Sequence, residues 1–140
     1  MESPFELERF VAAQRDVYSV ALAELRAGRK RSHWMWFVFP QVAGLGHSAM
    51  AQKYAIRSGD EAAAYLAHPL LGPRLRECAQ AVLAHRDESV DAIFGHPDNL
   101  KFQSSMTLFA DVAPHEAVFQ DCLDAFFDGR SDPETLARLG

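Results

Sequence analysis

Helix start and stop signals recur along the whole of this 140-residue chain, and sustained two-residue alternation is nearly absent. Ser3-Pro4-Phe5-Glu6 supplies a capping hydroxyl, a proline at the first helical position and a glutamate three residues after the cap. Ser58-Gly59-Asp60-Glu61 and Ser131-Asp132-Pro133-Glu134 repeat the capping pattern. Gly28 and Gly129 stand where helices stop, after Leu25 and Phe127. Between these marks apolar residues return at helical spacing: Val17, Val20, Ala21 and Leu25; Leu71, Leu75, Cys78, Ala79 and Val82; Phe119, Leu123 and Phe126. A chain of this length buries one core and is too short for two independent ones. The expectation is an all-α fold, one domain over residues 1–140 built from seven or eight short helices.

Residues 34–39 are the exception, being rich in side chains that favour strands. A lone strand would have no partner here, so the reading adopted is a short helix, capped by Ser32 and ended by Pro40. On that helix His33, Trp36, Phe37 and Pro40 share one side; on a strand His33, Met35, Phe37 and Phe39 would do so. Gly44-Leu45-Gly46-His47-Ser48 follows as a turn, with Ser48 capping a helix that carries Met50, Tyr54 and Ile56.

Composition excludes disorder as the default, since 49% of the residues are apolar and 24% charged. Charge is unevenly placed. Residues 25–59 hold Arg26, Arg29, Lys30, Arg31, Lys53 and Arg57 but no acid, so six of the 14 cations and none of the 19 acids lie there. A protein that is acidic elsewhere but cationic around its aromatic cluster has built a place for an anion. The net charge of −5 makes general nucleic-acid binding an unfavoured alternative, although one basic face can still meet phosphate. Cys78 and Cys122 sit among apolar neighbours and read as buried free thiols. The six histidines never approach a metal-binding spacing, so neither metal nor cofactor is expected. No targeting segment or membrane-length apolar run is visible, and the expected location is cytoplasmic.

Three places carry chemistry. In Gly28-Arg29-Lys30-Arg31-Ser32-His33 a glycine-bearing connection exposes backbone N–H groups beside cations, which suits phosphate or carboxylate; the spacing is not that of a P-loop. Trp34 and Trp36 can stack a flat ring, but on a helix they point some 200° apart, so at most one faces a ligand. On a helix begun by Pro97-Asp98, Phe102, Met106 and Phe109 form a buried stripe with Lys101, Ser104 and Ser105 clustered beside it. That trio is either an anion-binding face or a serine–lysine nucleophile pair, and no oxyanion-hole motif supports the second. Gln41 and His47 complete the ligand-binding set with Arg29, Lys30, Trp34, Trp36, Lys101, Ser104 and Ser105. His33 and Glu24 are the candidate proton-handling residues.

The run 24–41, with His33-Trp34-Met35-Trp36 at its centre, and the following Gly44-Leu45-Gly46-His47-Ser48 resemble an uncharacterised family, domain of unknown function 1810. Tyr54-Ala55-Ile56, Glu61 through Leu66, His68-Pro69-Leu70-Leu71-Gly72, Phe94-Gly95 and Asp98 through Phe109 extend the likeness over nearly the whole chain. The resemblance implies a mostly helical single domain and no activity. The label calpastatin, often given to such sequences, implies a disordered inhibitor and conflicts with this composition. A looser similarity of parts, without a shared ordered motif, links the chain to glycosidases that process NAD and ADP-ribose; it is an analogy only. The expected function is a small enzyme for a phosphate-bearing nucleotide or ADP-ribose-type ligand, with N-glycosidic hydrolysis as the reaction. The alternative is a non-enzymatic module for an acidic peptide or a nucleic-acid end. Convergence of Lys30, His33, Trp34 and Lys101 on one pocket would favour the enzyme.

Overall fold

Ser48, Ser58 and Ser89 each accept a hydrogen bond of 3.1 Å from the backbone N–H three residues ahead, and each begins a helix. The computed structural model describes residues 5–139. Its helices are α1 (Glu8–Gln14), α2 (Tyr18–Ala27), α3 (Met35–Val38), α4 (Ala49–Lys53), α5 (Gly59–Ala67), α6 (Leu71–Leu83), α7 (Val90–Phe94), α8 (Asp98–Val112), α9 (Ala117–Phe127) and α10 (Pro133–Leu139). The fold is all-α. Among the described residues there are ten helices, seven with seven or more residues, while α3, α4 and α7 have only four or five.

Local details differ from the punctuation in physical ways. Ser3 and Pro4 lie outside the described residues, and α1 begins at Glu8 with no side-chain cap. α10 is capped by Asp132, whose Oδ2 accepts from the Thr135 N–H at 3.2 Å, rather than by Ser131. Gly28 ends α2 at φ 75°, its N–H reaching back to the Leu25 carbonyl. α4 stops at Lys53, so Tyr54 and Ile56 fall beyond it. Ile56 instead forms an isolated parallel bridge with Val42. In that bridge the Ala43 N–H donates to the Ile56 carbonyl at 2.7 Å, and the Ile56 N–H donates to the Gln41 carbonyl at 2.8 Å.

Residues 34–39 do contain a short helix, but Ser32 does not cap it; its hydroxyl turns to Glu24. Trp34, Met35, Phe37, Val38 and Phe39 are all buried, so neither the helical nor the strand face describes the segment. It runs through the centre of the core, which explains its uniformly apolar composition. α8 packs against α5, α7, α9 and α10, and α6 packs against α2, α5 and α9. Phe102 on α8 meets Phe39 edge-on at 5.1 Å and stacks on Phe94 at 4.8 Å. Phe109, two turns on, meets Tyr65 and Phe119 at 5.6 and 5.7 Å. Each such pair adds about 1 kcal/mol to the area it buries. The seam formed by α8 and residues 34–39 therefore fixes what lies at its surface end. No described helix is long and apolar enough to cross a membrane.

Candidate functional site

Glu24, near the end of α2, faces the connection that follows its own helix. Its Oε1 accepts from the Arg31 N–H at 2.8 Å, the Ser32 N–H at 3.0 Å and the Trp34 indole N–H at 3.0 Å; its Oε2 accepts from the Ser32 hydroxyl at 2.5 Å. Partial burial acts to raise this carboxyl, but the Ser32 hydroxyl, the Arg31 N–H and the Trp34 indole together hold it down at about 2. A carboxylate with four donors is a clamp for the loop, poorly suited to exchanging protons near neutrality. Trp34, the ring it holds, is wholly buried and offers no face to a ligand.

Lys30 is not free to take an anion either. Its Nζ lies 2.8 Å from Asp98, donates to the Ser32 carbonyl at 2.5 Å and sits 5.0 Å from the centre of the Trp34 ring. The side chain is only 6% exposed. Asp98, at the first position of α8, also lies 3.6 Å from Lys101, and the Lys101 Nζ stands 5.2 Å from the centre of the Trp36 ring. The two lysines thus converge on one aspartate, each against its own tryptophan. Arg29 is paired with Glu88 at 2.8 Å.

Trp36 differs from Trp34 in being half-buried, at the junction of two adjoining cavities. One, of about 230 Å³, is lined by Trp36, Gln41, Gln52, Tyr54 and Arg57 together with the backbone after Gln41. The other, of about 400 Å³, is lined by Trp36, Gln41, His47, Ser48, Lys101, Ser104, Asp132 and Glu134. Trp36, Gln41, Gly46 and Ala51 belong to both linings, so the two form one groove. The Val42–Ile56 bridge pins its floor, and α8 and α10 form its far wall.

Of the residues singled out in the sequence, Trp36, Gln41, His47, Lys101 and Ser104 meet in this groove. Glu24, Arg29, Lys30, His33, Trp34 and Ser105 are absent from its lining. His33 is exposed. Ser105 is fully buried, and its hydroxyl has no hydrogen-bond partner among the described residues. Ser104 has one hydroxyl proton for the Leu100 carbonyl and Asp132, both at 3.1 Å, and no hydrogen bond joins it to Lys101 among the described residues, so the geometry gives no support to a serine–lysine nucleophile pair. Arg57, Asp132 and Glu134 line the groove without having been singled out for it. Asp132 and Glu134 carried only a capping signal, and Arg57 counted only towards the charge of the acid-free window.

The model of a family described as "Protein of unknown function (DUF1810)" matches residues 4–139. Among solved structures the chain is similar to the conserved hypothetical protein Rv1873 from Mycobacterium tuberculosis, at 52% identity and a TM-score of 0.96, over 98% of each chain. No curated protein gives a significant match.

Proposed function

The chain belongs to the DUF1810 family, whose description carries no activity, and we propose one from the groove: it binds a phosphate-bearing nucleotide or ADP-ribose-type ligand. The observation that carries this reading is Trp36, an accessible indole at the junction of two cavities, with the Lys101 ammonium against its ring. Such a ring accepts a flat heterocycle by stacking, and the amide of Gln41 and the hydroxyls of Ser48 and Ser104 add directional polar contacts. Asp132 and Glu134 on the wall count against a ligand that is anionic along its whole length, such as the acidic peptide or nucleic-acid end of the rival reading. Neither proton-handling candidate, Glu24 or His33, belongs to the lining, so binding is better supported than hydrolysis.

Calorimetric titration of the folded protein with ADP-ribose and nucleoside phosphates is expected to give heat, with affinity falling about tenfold or more in Trp36→Ala. No heat at millimolar ligand would remove the reading. Release of free base during incubation would add N-glycosidic hydrolysis to it; an intact ligand would leave a binding module.

A further inference from the structure

The two halves of the groove differ in charge. On the smaller cavity the one charged lining residue is Arg57. Among the described residues its guanidinium has neither a hydrogen bond nor an ion pair. The carboxylate nearest to it in sequence, Glu61, is already engaged: Oε1 accepts the Arg57 N–H at 2.8 Å and Oε2 pairs with Arg9 at 2.9 Å. Arg57 follows directly on the Val42–Ile56 bridge, so it projects from backbone held by two ladder hydrogen bonds. It also lines a neighbouring cavity together with Arg9 and Lys53 and the carboxylates of Glu6 and Glu61, of which Glu61 is paired with Arg9.

The larger cavity has the opposite balance. Lys101 shares Asp98 with the closer Lys30, while Asp132 and Glu134, the latter 4.0 Å from Arg138, add two carboxylates to the wall. Asp132 Oδ2 accepts from the Ser104 hydroxyl, the Thr135 N–H and the Thr135 hydroxyl, at 3.1, 3.2 and 2.6 Å. Oδ1 has no donor among the described residues. A rigidly held carboxylate with one open acceptor suits a sugar hydroxyl and repels a phosphate.

We infer that Arg57 is the anion-recognition residue of this groove, which therefore takes a nucleoside 5′-phosphate in one orientation, phosphate at Arg57 and ribose hydroxyls at Asp132. The inference rests on the proposed ligand class and reverses the expectation that Lys101 holds the anion. Lys101 is instead drawn to Asp98, beside Lys30, and stands against the Trp36 ring, while the planar fork of Arg57 matches a terminal phosphate.

The test compares adenosine with adenosine 5′-monophosphate by calorimetry on the wild type, Arg57→Gln, Arg57→Lys, Lys101→Gln and Asp132→Asn, each first shown to be folded by thermal melting. Asparagine keeps a capping oxygen at position 132. The wild type should prefer the monophosphate by about tenfold, the worth of one charge-assisted phosphate contact. Arg57→Gln should abolish that preference without weakening adenosine, Arg57→Lys should keep part of it, and Asp132→Asn should weaken both ligands alike. Persistence of the preference in Arg57→Gln, with its loss in Lys101→Gln, overturns the inference and leaves the ligand class standing. Equal binding of both ligands by the wild type overturns it as well. If neither ligand nor ADP-ribose binds, the ligand class fails and the inference fails with it.

Discussion

Glu24 gathers four donors onto two oxygens, so its charge belongs to the loop it holds. In Glu24→Gln the amide nitrogen would face a donor, and unfolding in urea should show a loss of about 2–3 kcal/mol. The folded carboxyl titrates at about 2, below its ordinary value of 4.5. Depression of the folded value means that this stabilisation is complete above about pH 4.5 and is lost as pH falls towards 2. Thermal melts should therefore lose more between neutral and acid pH in the wild type than in Glu24→Gln; parallel losses would count against this assignment. Asp98 is the complementary case, one carboxylate between two lysines. Asp98→Ala leaves Lys30 charged and nearly enclosed, at a cost of about 3–5 kcal/mol in the same measurement. The sequence displays Glu24, Lys30 and Lys101 as charged groups near tryptophans, but their partners are set by tertiary packing. Asp98 reaches Lys30 only because α8 docks against the connection after α2.

At the scale of elements, α10 is short, and Asp132 secures its start both to Thr135 within the helix and to Ser104 on α8. Asp132→Ala should cost about 1–2 kcal/mol, typical of a lost cap. Amide exchange should then quicken along α10 but not in the middle of α8; uniform quickening would show instead that α10 is part of the global core. The helices legible beforehand are those whose signals are local: the Ser58 cap, the Gly28 stop and the α8 stripe of Phe102, Met106 and Phe109. Residues 34–39 were harder to read for a reason of environment. A segment enclosed on nearly every side shows no periodicity, so β-branched and aromatic composition says little about its backbone. Tyr54 closes α4 as its C-cap, and Ile56 lies beyond the helix because its backbone pairing with residues 41–43 is out of the reach of local propensity.

For the molecule as a whole, the two cysteines report how completely the core is closed. Burial pushes both Cys78 and Cys122 up to about 12, and both are free thiols. Native protein at mildly alkaline pH should resist thiol labelling, and both sites should react at once in urea, at rates that follow global opening. Labelling of one site in the native state would reveal a partial opening near that helix. The all-α class was legible because capping and periodicity are written locally, and the buried thiols because their neighbours are apolar. The groove was legible only in part. Its floor comes from residues 36–57 and its wall from α8 and α10, and their meeting depends on the aromatic seam. The expected convergence of Lys30, His33, Trp34 and Lys101 on one pocket does not occur: only Lys101 lines the groove, Lys30 meets it at Asp98, Trp34 joins the core and His33 is exposed. The bridge between Val42 and Ile56 has a wider consequence. By bringing the two ends of an excursion together, it makes the intervening chain a closed cassette that supplies Leu45, Gly46, His47, Ser48, Ala51 and Gln52 to the groove. A transplanted loop with the same endpoints could change what the groove accepts while leaving the aromatic seam untouched, so selectivity and stability can be altered separately.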